Sequence, residues 1–487
     1  MSCRLHRPTI LPISALPTMR NALLCLATTL ILSACGGSDD NEDNTVSSPS
    51  LPSNPPSSNT PDETEADTDW LPAGGSATIT ADISQPFLQI MPNLPSSALG
   101  GVSPGRELFI TEWTPANQGR VLFDGVGPLF NANACTQCHS AEGRKPIYAN
   151  DGELSDAILF RLGDKQGLAH AYYGEQMQHQ SIDASIATEG KMRYIATVED
   201  DKNSKSIRFN FTPTDPNQPL GDTAISGRIS PQLVGMGLLN LIPDASIIAA
   251  ADANDDNKDG ISGRVHWVNE GVHERIGRFG WKAINSSLHT QNANAMSQDM
   301  GLTTSIFMDP NCTANQPICW TAANGGTPEV SDSSLDAVTD FMTALAVPER
   351  RVSNLSTFNQ GANLFTQVGC AGCHTPKQKT GDSDRFPLLS QQTIYPYTDL
   401  LLHDMGAGLD DGVKEKNAES FEWRTPPLWG IGIVAQDSDA RFLHDGRASS
   451  LTEAILWHGG EAEGAKTRFE QLSVEQKNIL LSFLNGI

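Results

Sequence analysis

One segment of the chain is apolar enough to enter a membrane, and it lies at the start. Asn21–Cys35, reading NALLCLATTLILSAC, is apolar at most positions and follows Met19–Arg20. A short basic segment before an apolar run that is short for a bilayer span predicts a secretory signal, with Met19 as the true start. The next stretch inverts the pattern. Gly36–Asp69 is rich in Ser, Pro and Asn, carries nine Asp and Glu, and has no Lys or Arg. It has too little apolar surface to fold, which predicts a flexible tether averaging on the order of 30 Å end to end. Globular sequence begins near Trp70. From there the apolar positions come in short clusters such as LVGMGLLNLIP around Met236, a core run.

The signal closes on Leu32–Ser33–Ala34–Cys35. This resembles the bacterial lipobox, in which small residues precede a cysteine that is lipidated and becomes the first residue of the mature chain. Residues 1–35 then form a lipoprotein signal peptide, with Cys35 lipidated, and 36–70 a disordered acidic tether. Gly36 follows the cysteine, and no aspartate there argues for retention in the inner membrane. The expected location is the periplasm or the cell surface, membrane-anchored, with the outer membrane favoured. With 487 residues the chain can hold two cored domains, read as 71–340 and 341–487. A formal net charge of -24 repels nucleic acid and would steer a basic electron donor.

Nine cysteines sort into classes. Cys3 and Cys25 fall in the discarded segment. Cys312 and Cys319, in DPNCTANQPICW, are expected to form a small disulfide in an oxidising compartment. The remaining four make two motifs, Cys135–Thr–Gln–Cys138–His139 and Cys370–Ala–Gly–Cys373–His374. A redox dithiol does not require the histidine. A zinc knuckle needs its pairs close together or a further His pair at ligand spacing, and these pairs are 235 residues apart. Covalent haem attachment requires this pentapeptide in both copies: the thiols add to the porphyrin vinyls and the next imidazole lies under the iron. The chain is therefore read as holding two covalent c-type haems, through Cys135 and Cys138, and through Cys370 and Cys373, with His139 and His374 as iron ligands.

The flanks extend the repeat. Leu129–Phe130 and Leu364–Phe365 each end five residues before the first cysteine of a motif, giving LFxxxxCxxCH twice. The repeat predicts a helix packed on the haem edge before each attachment turn. The expected fold is mainly α: two cytochrome c-like haem domains with loop-rich insertions.

Further segments carry a family resemblance. PYTDLLLHDMGAGLDDG, EWRTPPLWGIG and RFLHDGRASSLTEAILWHGGEA in the second half join GPLFNANACTQCHSAEGR and GRFGWKA with QDMGLT in the first. Over roughly 101–484 the chain resembles the bacterial di-haem oxidoreductases, peroxidases or thiol oxidoreductases related to di-haem cytochrome c peroxidase and the MauG-type enzymes. The match is specific in the C-terminal 150 residues and looser between the haems. The resemblance implies that the C-terminal haem passes electrons to the N-terminal haem, which is open or opens to meet peroxide. In those relatives a methionine after the HDG turn ligates the C-terminal haem. His458 stands in its place here, which implies His374–His458 ligation and a lower reduction potential. Met405, in a glycine turn 31 residues after His374, is the alternative, and His403 ranks last. His444 is expected to cap a turn with Asp445.

At the first haem His170, Met177, His179, Met236 and Met300 are all candidate second ligands, and none has decisive spacing. The family's catalytic glutamate corresponds loosely to Glu189, and a solvated surface glutamate is the reading that ranks above it. Trp281, Trp423, Trp429 and Trp457 are candidates for packing on porphyrin or for electron transfer between haems. Arg424 and Arg447 suit haem propionates. Asp252–Arg264, DANDDNKDGISGR, has the oxygen density of a calcium loop but lacks the closing glutamate, so it is no EF-hand. The expected function is a peroxidase-like oxidoreductase with a soluble or membrane electron donor. The alternatives are a pure electron-transfer cytochrome with two six-coordinate haems, or a redox partner of an iron-uptake system.

Overall fold

The structure is a computed structural model. It describes residues 71–487 apart from 83, 117, 119–122, 142, 145–146, 148–153, 155–156 and 200–203. Met19, the proposed signal with Cys35 and the tether lie outside the described residues. From the N-terminus, α1 (Ser96–Ile110) precedes the first CxxCH turn. Strands β1 (Ile158–Gly163), β2 (Gly190–Glu199), β3 (Ser204–Pro213) and β4 (Ala224–Ile229) follow. Helices α2 (Leu288–Met300), α3 (Asp332–Thr343) and α4 (Leu355–Val368) lead to the second turn. Then come β5 (Leu402–Asp404), β6 (Glu422–Arg424), α5 (Leu451–Leu456), α6 (Glu463–Gln471) and α7 (Val474–Gly486). The described residues form one compact unit.

The expectation of a mainly α chain is corrected. Helix accounts for about 30% of the described residues and strand for 17%, so strands are a second structural component and not an embellishment. Every sheet among the described residues has two strands. The largest pairs β2 with β3, in register from Gly190–Pro213 to Glu199–Ser204. Their β-branched and aromatic content, as in MRYIATV and SIRFNFT, favours a pleated pair over a helix. β1 pairs with β4, Ile158 opposite Ile229. These strands cover a second core of Ile158, Phe160, Leu162, Met177, Met192 and Ile229.

The helices build the main core. In α4 the buried residues Phe358, Gly361, Leu364, Phe365 and Val368 recur at helical spacing and form one stripe. That stripe packs on α7, with Phe365 and Phe483 rings 5.4 Å apart and Tyr397 5.7 Å from Phe365. Burying a phenylalanine this way contributes roughly 2 kcal/mol. The Asn354 side chain caps the start of α4 by accepting from the Thr357 N–H at 2.9 Å. Gly369, at φ 98°, ends the helix in the left-handed region, and Cys370 follows at once. The second LF pair thus lies on a helix that runs directly into its CxxCH turn, as the repeat predicts. The first does not. Leu129–Phe130 is a strand paired antiparallel with Gln180–Ser181. Gly125, Gly127 and Pro128 just before it break any helix. Both motifs nonetheless form a single 3₁₀ turn, at Cys135–Gln137 and Cys370–Gly372. Among the described residues no helix is long and apolar enough to cross a membrane.

Candidate functional site

Each CxxCH turn opens on its own cavity. The cavity at the second motif, about 390 Å³, is lined by Cys370, Cys373, His374, Met405, His444 and His458 among apolar side chains. The one at the first motif, about 250 Å³, is lined by Cys135, Cys138 and His139. Trp281, Arg424, Pro426 and Pro427 line both, so they form a shared wall. Each cavity draws side chains from both sides of position 340.

Three histidines share one arrangement. Nδ1 of His139 lies 3.0 Å from the Pro231 carbonyl, that of His374 3.1 Å from Tyr397, and that of His458 2.8 Å from Ala454. A carbonyl only accepts, so each Nδ1 carries the proton and each Nε2 keeps its lone pair. Burial holds all three neutral: it pushes His139 and His374 down to about 4, and it lowers His458. His458 also lowers His374, so the two rings are close enough to sense each other's charge. A neutral imidazole oriented through Nδ1 is how proteins present a metal ligand.

His403 is different. Its Nε2 donates to Asp399 at 2.9 Å and its Nδ1 to Glu461 at 2.7 Å. Burial opposes its charge, but hydrogen bonds to Asp399, Cys373 and Glu461 outweigh burial and raise it to about 12. This imidazolium has no lone pair and cannot ligate iron. Met405 lines the cavity, so both expected partners of His374 are present there. His444 stacks on Trp423, ring centroids 3.7 Å apart and 9° from parallel, and its Nε2 lies 3.6 Å from Asp445 Oδ2. Asp445 accepts the turn's Arg447 N–H at 3.2 Å and takes the Arg447 side chain through two nitrogens, at 2.9 and 2.7 Å. That leaves the Arg447 fork occupied. Arg424 is buried and donates to the carbonyls of Gly280 and Thr425. Burial pushes it down to about 10.

At the first cavity the candidate ligands separate. Met236 and Met300 line it, whereas His170, Met177 and His179 do not. Met177 lies in the core under the strands, and His170 stacks on Tyr173. Met296 and Met342 also line the cavity and were not foreseen. The four-residue spacing of Met296 and Met300 was the available signal, since it places both on one helix face. Glu189 is buried and is not among the side chains lining this cavity. Its carboxylate accepts from the Gln178 N–H at 2.5 Å and from Gln316 Nε2 at 2.6 Å, and burial raises it to about 8. Gln316 belongs to the loop closed by the Cys312–Cys319 disulfide, Cα atoms 5.9 Å apart. The carboxyl that does line the cavity is Asp299, raised to about 6 by burial and hydrogen-bonded to Gln176 Nε2 at 2.9 Å. It sits in QDMG, whose echo in HDMG around Met405 was visible in the sequence.

Among the described residues no three His, Cys, Asp or Glu converge as a metal site. In the Asp252–Arg264 loop three carboxylates accept from the loop's own amides: Asp252 from Asp256 and Asn257, Asp255 from Gly260, and Asp259 from Ile261.

No curated protein matches the chain. A solved structure of hydrazine synthase from Kuenenia stuttgartiensis aligns over 89% of this chain and 100% of that one, at 13% identity and a TM-score of 0.34. The model of the family described as "Di-haem oxidoreductase, putative peroxidase" matches residues 211–487, more than half of the chain and the whole wall of the second cavity. The chain belongs to the di-haem oxidoreductase family.

Proposed function

We propose that the chain binds two c-type haems covalently, through Cys135 and Cys138 and through Cys370 and Cys373. It would act as a peroxidase-like oxidoreductase, with electrons arriving at the second site and peroxide met at the first. One observation carries this reading: the same assembly occurs twice. A CxxC turn floors an apolar cavity, and a neutral histidine keeps its Nε2 lone pair by donating Nδ1–H to a carbonyl.

The residues fit the group. The Trp429 indole is buried against the first cavity, and its N–H finds no partner among the described residues. An orphaned buried donor costs free energy, and a propionate would satisfy it. Arg424, buried and paired only with carbonyls, offers the charge for a second propionate. When bound, haem supplies one-electron chemistry and a peroxide-binding iron. The protein's part is positional. Pro231 and Tyr397 carbonyls fix the tautomers of His139 and His374. His458, anchored on Ala454, is the second ligand at the C-terminal site, with Met405 as its alternative. Asp299 is the group at the first cavity able to hold or release a proton near neutral pH.

A second reading, pure electron transfer, is favoured by Met236, Met296, Met300 and Met342 around the first cavity, since a thioether there would close the iron to peroxide. Absorption spectra with and without peroxide separate the two. A peroxide-responsive high-spin fraction supports the oxidoreductase, and its lack in both redox states supports the wire. His458→Ala is expected to convert the C-terminal haem from low to high spin; an unchanged spectrum transfers the role to Met405. The Leu32–Cys35 pattern supports export and lipidation, with metabolic labelling by palmitate as the test.

A further inference from the structure

Lys282 is one of the most deeply buried side chains in the protein, with a side-chain exposure of 0%. A buried ammonium is costly unless its hydrogen bonds are replaced. Here they are over-replaced. Nζ lies 2.8 Å from the Glu419 carbonyl, 2.9 Å from that of Ser420, 3.0 Å from that of Val413 and 3.3 Å from Asp411 Oδ1. An ammonium has three protons, yet four oxygens surround it. The Trp423 ring adds a cation–π contact at 4.5 Å. Three of the four oxygens are main-chain carbonyls from a short loop, 411–420. Folding that loop inward brings dipoles of one sign together, which only a cation makes favourable.

The charges nearby are balanced without a spare anion. Asp411 also accepts from Arg228 at 2.8 Å, and Arg228 pairs with Glu415 at 2.9 Å. Glu415 in turn meets Arg161 at 3.6 Å, and Arg161 pairs with Glu175 at 3.0 Å, so three cations face three carboxylates. The loop leads into β6, which carries Trp423 and Arg424, while Trp281 immediately precedes the lysine. Arg424 N–H donates to the Trp281 carbonyl at 2.9 Å. Whatever fills this cage therefore pins the wall that the two cavities share.

We propose that the oxygens of Asp411, Val413, Glu419 and Ser420 form a monovalent-cation site that the chain fills with its own Lys282 ammonium. Truncating that side chain opens the site to a free ion. Oxygens at 2.8–3.3 Å match ammonium and potassium and are too far apart for lithium or sodium. The Lys282 side chain is thus a tethered cation that positions Trp281, Trp423 and Arg424.

The test is cation rescue in the purified protein. Lys282→Ala should melt lower than wild type by on the order of 5 °C in lithium chloride. Potassium, ammonium or methylammonium chloride should recover more than half of that loss, while wild type responds equally to all the salts. Lys282→Met, which fills the carbon volume without the charge, should stay low in every salt. A Lys282→Met protein as stable as wild type, or a Lys282→Ala protein blind to the choice of cation, overturns the proposal. Should neither variant fold, lysine-¹⁵N-labelled wild type decides. A caged ammonium gives a slowly exchanging N–H signal near neutral pH, and its absence overturns the proposal.

Discussion

A proton's position separates the histidines of this chain by role. His139, His374 and His458 donate one proton to a carbonyl and keep a lone pair, whereas His403 gives up both nitrogens to carboxylates. His403 is raised from 6.5 to about 12. Its contribution to stability is fully present below 6.5 and is lost as pH climbs through the raised value. His403→Gln should therefore cost about 3 kcal/mol near pH 6, because it strands Asp399 and Glu461. The deficit should shrink steadily in alkaline solution, as denaturant titrations at a series of pH values would show. Asp299 and Glu189 make a second pair of opposites. Glu189→Gln should leave peroxide reactivity unchanged, since the carboxyl faces the disulfide loop. Asp299 must be ionised to accept a proton, so reactivity should fall below about pH 6. Asp299→Asn should lower it by about 100-fold and abolish that acid limb in stopped-flow traces. The two CxxCH turns were legible because each is contiguous. Met296, Met342 and Asp299 around the first cavity were not, because their meeting depends on side chains brought from distant segments.

Helix contacts set the first cavity's depth. Gly101 and Gly105, four apart on α1, let its backbone press on α3. A methyl at Gly105 would meet the Ala337 carbonyl, and one at Gly101 the Asp340 carboxylate. Gly105→Val should destabilise the fold by roughly 2 kcal/mol. It should also disturb the first cavity, which takes Phe109 from α1 and Val338 and Met342 from α3. Thermal melts and the spectrum of the first site, each compared with Gly100→Ala, where the space is open, would check this. Element type was legible where periodicity was strong, as in α4 with its buried stripe at Phe358, Leu364, Phe365 and Val368. It was lost where identical words met different punctuation. Leu364–Phe365 sits late in a capped helix, and Leu129–Phe130 follows Gly127–Pro128 and became a strand. Neither residue pair carries that difference; the neighbours do.

The whole molecule is interlocked across position 340. The second cavity takes Asp259, Ile261 and Trp281 from the first half, and the first takes Arg424, Pro426 and Trp429 from the second. A fragment of residues 341–487 should therefore expose apolar surface from Leu400, Leu402 and Trp429. It is expected to be digested by trypsin within minutes under conditions that leave the full chain intact. Net charge was legible from composition. The interlocking was not, because a linear count of motifs says nothing about which side chains cross.

Trp281, Arg424, Pro426 and Pro427 present one face to each cavity. A group in either cavity presses on the same wall, so a wall settled by one group is already in place for the other. On the proposed reading of two covalent haems, the two loading reactions should consequently be cooperative during biogenesis. Chains carrying a single prosthetic group should be scarce relative to empty and doubly loaded ones when the group is limiting, a distribution that intact-mass spectrometry resolves.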